Sequence, residues 1–174
     1  MSGNCDRNAV ESNGFRGRAL ARCVRLSSDV IDRLNSLLRV ELAAVAGYQK
    51  ALGALRKKAM SDGEHILRLA SEHQRTVTAL HGSVQARGGV PVAAADPWEG
   101  SGVKALTGNG SFLKLNDREF VFALLEAERR FLAEYEASLT SLDEDARELV
   151  ELELIPRQRR HVEALSAMHS HLAA

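Results

Sequence analysis

Along residues 34–55 the apolar positions Leu34, Leu38, Val45, Tyr48, Leu52 and Leu55 fall at alternating steps of four and three, with Glu41 standing inside the series where a leucine is expected. Steps of that size place side chains on one stripe of an α-helix, the face that a bundle turns to its core. The series returns at Val121, Leu125, Leu132, Tyr135, Leu139 and Leu142, and Glu128 takes the corresponding place. Each of the two glutamates is followed two helical turns later by a tyrosine, Tyr48 or Tyr135. This reads as an internal duplication in which helices one and three contribute equivalent groups to one interior.

Local signals set the remaining elements. Ser28 is a suitable N-cap, so helix one is predicted over 29–58. Ser61 and Glu64 have capping-box spacing and start helix two, which ends near Arg87 before Gly88-Gly89-Val90-Pro91. So short a join makes the two helices antiparallel neighbours. Residues 88–115 then hold Pro91, Pro97, the single Trp98 and a dense set of glycines. At up to ~3.3 Å per residue this stretch can travel the length of a bundle, with Trp98 pinning it down. Asn116 and Glu119 start helix three, which runs to about Leu139, and Ser141 and Glu144 start helix four, which runs to about His171. Pro156 is predicted to kink or divide the last helix, because its ring removes a backbone donor and crowds the preceding turn. The expected fold is all-α: an antiparallel four-helix bundle over 28–174 with a long crossover between helices two and three. Residues 1–27 mix Gly, Asn, Ser and Arg without helical period and are expected to be a flexible extension.

Composition narrows the function classes. A chain of 174 residues can bury a core without disulfides or partners. Its 23 basic and 23 acidic residues balance, which argues against broad attraction to nucleic acid or anionic membranes. No apolar run approaches the ~20 residues that cross a bilayer, so a soluble cytoplasmic protein is expected. Cys5 and Cys23 both fall in the extension at no metal-type spacing and read as incidental thiols.

The candidate chemistry lies on the seams. On helix two the stripe runs through Ile66, Leu69, His73, Thr76 and Leu80, or through Ile66, Ala70, His73, Val77, Leu80 and Val84. Both tracings include His73, with Glu72 on the flank. On helix four it runs through Leu154, Gln158, His161, Leu165, Met168 and Leu172. Glu41, His73, Glu128 and His161 each lie near mid-helix, so in an antiparallel bundle they meet at one level. Two carboxylates and two imidazoles in a low-dielectric interior suit a divalent ion such as iron, manganese or zinc. The competing account is a metal-free polar core in which these groups satisfy one another, or pair with Arg75 or Arg157. Tyr48 and Tyr135 are expected to share their protons with buried carboxylates. His65, His81, His169 and His171 are expected at the surface.

These residues also carry a family resemblance. The stretch from Leu34-Asn35 through Glu41-Leu42 to Tyr48 resembles the first helix of bacterioferritin, and residues 29–172 resemble the ferritin-like superfamily. They are similar within it to small bacterial four-helix-bundle proteins of unknown function. Those share the Gly-Gly-x-Pro end of helix two, the Ala105-Leu106-Thr107-Gly108 crossover and the Glu-x6-Tyr of helix three. The resemblance implies one Glu on helix one, Glu-x-x-His on helix two, one Glu on helix three and Glu-x-x-His on helix four. Glu41 and Glu128 match the single glutamates. Helix two offers His73 and Thr76 with Glu72 one place early, and helix four offers Gln158 and His161. With carboxylates missing, the resemblance implies one ion rather than a dinuclear oxidase. The metal-ligand candidates are therefore Glu41, Glu72, His73, Glu128 and His161. The functions implied are metal handling or stress response, alone or as a homo-oligomer. The alternatives are a non-catalytic interaction protein with a vestigial site and an enzyme activating dioxygen.

Overall fold

The structure, a computed structural model, describes residues 8–58, 63–94 and 115–172, and the side chains of 28–55, 63–94 and 115–172. All regular structure among the described residues is helical. Helix α1 spans Asn8–Lys58, α2 Gly63–Ala86 and α3 Asp117–Ser138. The fourth helix, α4 (residues 144–171), is continuous but not uniform: an α turn Glu144–Glu148 leads into a π segment Leu149–Leu154 and then an α segment Ile155–His171.

Helix α1 begins well before Ser28, so Ser28 lies inside the helix and does not cap it. The run Arg18-Ala19-Leu20-Ala21-Arg22 consists of strong helix formers, and it lets the backbone helix reach into residues expected to be an extension. Asn116 caps α3 as its spacing suggested. Its side chain accepts from the Glu119 N–H at 2.8 Å and the Glu119 carboxylate accepts from the Asn116 N–H at 2.9 Å. The cap of α4 is Asp143 rather than Ser141. Leu139–Ser141 form a 3-10 turn, and Leu142 is extended and buried, which moves the start of the helix two residues on.

Pro156 lies where the helix changes its hydrogen-bond pattern, just after the π segment Leu149–Leu154 and at the start of the last α segment. The π segment ahead of it directs the Ile155 N–H to the Val150 carbonyl, and Pro156 takes a first-turn position of the next α segment, where a proline is tolerated. Helix α2 closes on a Schellman turn. Gly88 adopts φ +73°, with Gly89 N–H donating to Val84 O at 3.1 Å and Gly88 N–H to Gln85 O at 2.9 Å. The chain beyond is held by Asn35 of α1, whose amide donates to Val90 O at 3.1 Å and accepts from Val92 N–H at 3.0 Å. Ser61, Trp98 and the Ala105–Gly108 stretch lie outside the described residues.

Two apolar clusters fill the interior. One joins residues 40–55 of α1, Ile66 and Leu69 of α2, residues 120–131 of α3 and Leu165 of α4. The other joins Val30 to Leu38, Leu80 and Val84, Tyr135, and Leu142 to Ile155. Between them lies a buried polar layer comprising Glu41, His73, Thr76, Glu128, Gln158 and His161. On α2 the buried stripe is Ile66, Leu69, His73, Thr76, Leu80 and Val84, the first of the two tracings extended by one turn. No helix among the described residues is long and apolar enough to cross a membrane.

Candidate metal centre

Glu41 and Glu128 are 1% and 0% exposed, so each charge must be met inside the protein. His73 of α2 stands between them. Its Nδ1 lies 2.8 Å from Glu41 Oε2 and its Nε2 3.1 Å from Glu128 Oε1. Burial alone would favour the neutral ring, but the charges of Glu128 and Glu41 outweigh it and lift the His73 pKa to about 10. Glu128 responds in the opposite sense. Burial would raise its pKa, yet His73 and His161 hold it well below the usual carboxylate range.

The tyrosines complete the carboxylates, and they do so crosswise. Tyr48 of α1 donates to Glu128 Oε1 at 2.6 Å, whereas Tyr135 of α3 donates to Glu41 Oε1 at 2.5 Å. Each phenol serves the glutamate of the opposite half. Burial, reinforced by the adjacent carboxylate, raises the pKa of both phenols, which therefore keep their protons. The expectation that each would share a proton with a buried carboxylate holds.

Helix α4 adds two groups. Gln158 Nε2 donates to Glu128 Oε2 and, at 2.9 Å, to the Glu128 carbonyl. His161 is buried with its Nε2 2.8 Å from Glu72 Oε2 and its Nδ1 3.4 Å from Glu128 Oε2. That Nδ1 contact is not aligned as a hydrogen bond, so among the described residues the atom is buried without a hydrogen-bond partner. Glu72 is the member nearest water, its side chain 25% exposed. Burial tends to raise its pKa, but the hydrogen bond and charge of His161, with Arg157 and Arg160 nearby, lower it overall. Rings close the layer: His73 lies 5.0 Å from Tyr48, 4.9 Å from His161 and 6.1 Å from Phe131 between centroids.

The structure thus brings all five metal-ligand candidates into one network, but not equivalently. One donor atom each of His73, Glu128 and His161 lie within 4.8 Å of one another, all buried, and the three can hold a metal ion. Glu41 and Glu72 stand outside that trio, on the far sides of His73 and His161. Among the described residues no hydrogen bond joins an arginine to Glu41 or Glu128: Arg157 donates instead to the Thr76 hydroxyl at 2.9 Å. His65, His81 and His171 are exposed and His169 is half-buried against Phe122. Gln158, read from the sequence as a lost ligand, holds Glu128 in place instead. Its inward seam position was the signal for it. No protein-family model and no curated protein matches the chain.

Proposed function

We propose that the protein binds one divalent transition-metal ion through His73 Nε2, Glu128 and His161 Nδ1, inside an antiparallel four-helix bundle of ferritin-like type. The carrying observation is the buried cluster of His73, Glu128 and His161, with donor atoms close enough for one ion, beside a His161 Nδ1 that has no hydrogen-bond partner among the described residues. Two imidazole nitrogens and a carboxylate oxygen suit iron or manganese, and also zinc. Only one carboxylate belongs to the trio, which favours a single ion over a dinuclear centre. The bundle reading is supported by the apolar clusters, since the end of α1 meets the start of α2 and the start of α3 meets the end of α4.

Bound there, such an ion supplies Lewis acidity and, for iron or manganese, one-electron chemistry. The chain's own residues hold it away from water, with Phe131 and Tyr48 packed on His73 and Gln158 fixing Glu128. Metal handling or stress response in a bacterial cytoplasm is the setting that fits this reading. The test is metal content after anaerobic purification and iron reconstitution. Near one equivalent is expected for the wild type, with loss in Glu128→Ala. Absence of metal in the wild type would overturn the proposal.

A second reading has its own observation. Both ring nitrogens of His73 and both tyrosine hydroxyls already meet carboxylates, so the polar layer closes on protons alone apart from His161 Nδ1. On that account the layer is a polar core of an interaction protein. It predicts that added iron, manganese or zinc leaves the melting temperature unchanged.

A further inference from the structure

Resting on the metal reading, we infer that Glu72 is a positioning residue: it holds the Nε2–H of His161 so that the Nδ1 lone pair faces the ion. Glu72 thus acts on the ion through His161 and does not ligate it. Three observations carry this. Glu72 Oε2 lies 2.8 Å from His161 Nε2, a short contact in which the ring nitrogen donates. The two nitrogens of an imidazole point to opposite sides of the ring, so a carboxylate engaged at Nε2 is turned away from an ion bound at Nδ1. The remaining nitrogen, Nδ1, is buried without a hydrogen-bond partner among the described residues and lies 3.4 Å from Glu128 Oε2.

A histidine present only for packing would be expected to engage both nitrogens, because leaving a buried polar atom unmet is costly. Here one nitrogen is tied to a carboxylate and the other left bare among donors suited to a metal. That is the arrangement by which a neighbouring acid selects a tautomer and raises the basicity of a ligand. Glu41 stands to His73 Nδ1 as Glu72 stands to His161 Nε2. The two histidines therefore present opposite ring nitrogens to Glu128. Glu72 is the better one to test, because its side chain is partly exposed whereas Glu41 is fully enclosed.

The experiment measures zinc affinity by competition with a chromophoric chelator for the wild type, Glu72→Ala and Glu72→Gln, with circular dichroism as the check on folding. Glu72→Ala should weaken zinc binding by about 10–100-fold. Glu72→Gln, whose amide oxygen still accepts from Nε2–H, should recover most of the loss. Nitrogen-15 spectra of the zinc-loaded wild type should show His161 protonated at Nε2 and metal-bound at Nδ1, a readout that stands even if the alanine variant fails to fold. Unchanged affinity in Glu72→Ala, or zinc on His161 Nε2, overturns the inference while leaving the metal reading intact. A wild type that binds neither zinc nor, after anaerobic reconstitution, iron overturns the metal reading itself, and the role of Glu72 falls with it.

Discussion

Between Glu41 and Glu128, the imidazole of His73 carries the positive charge that makes two enclosed carboxylates tolerable. Its pKa rises on folding from 6.5 to about 10. The associated stability is fully present below about pH 6.5 and is lost as pH rises through about 10, because only the folded state holds the proton between those values. Glu128, held low, contributes in the other sense: its share is present above the ordinary carboxylate value and is lost as the solution becomes acidic. Melting curves of the metal-free protein should therefore show a falling Tm above about pH 6.5, and a flat profile up to pH 10 would mean that His73 is neutral when folded. An ion needs the neutral ring, so the rise in Tm produced by zinc should grow over the same range. Gln158 offers a sharper probe, since Gln158→Glu places a second carboxylate against Glu128. Without metal the variant should lose about 3–5 kcal/mol in urea denaturation, the cost of an uncompensated buried charge. Added manganese should restore more stability to it than to the wild type.

At the level of elements, the residues that announced themselves were those whose signal is local. Asn116 with Glu119 marked the start of α3, and the Gly88-Gly89 pair marked the end of α2. Replacing Asn116 by Ala should cost about 1 kcal/mol, read by urea denaturation. Gly89→Ala should cost about 1–3 kcal/mol, because a Cβ there would stand 2.7 Å from Ile31 Cγ2 and 3.0 Å from Val84 Cγ1. An unchanged urea midpoint would mean that α1 and α2 separate easily at that turn. Periodicity also identified which faces turn inward, and Glu41, His73, Glu128, Gln158 and His161 are all buried. It could not name partners, because a face fixes direction and not the atom at its end. The crossing of the tyrosines, the trio within the five candidates and the role of Gln158 all depend on how helices distant in sequence meet. Helix α4 shows a different gap. Ala146, Val150, Leu154 and Gln158 are buried at successive steps of four, and an ordinary α-helix would drift by about 40° at each step. The wider turn of Leu149–Leu154 takes up much of that drift, and residue types alone did not reveal it.

Across the whole molecule, the bonds that matter most run between the two halves of the chain. Tyr48 reaches Glu128, Tyr135 reaches Glu41, Arg157 reaches Thr76, and Arg87 pairs with Asp143 at 2.6 Å. Tyr48→Phe should cost about 1–3 kcal/mol, the penalty for leaving a buried carboxylate oxygen short of a donor. Because the lost donor is on α1 and the stranded acceptor on α3, hydrogen exchange should accelerate in both helices, and acceleration confined to α1 would argue for independent halves. The reciprocity of the tyrosines carries a larger consequence. Neither half holds the phenol that its own carboxylate requires, so each is chemically incomplete until it meets the other. Two separately produced peptides, divided anywhere within 95–114, should be poorly helical alone and should reassemble when mixed, complementing one another as strangers what the intact chain accomplishes as a single thread.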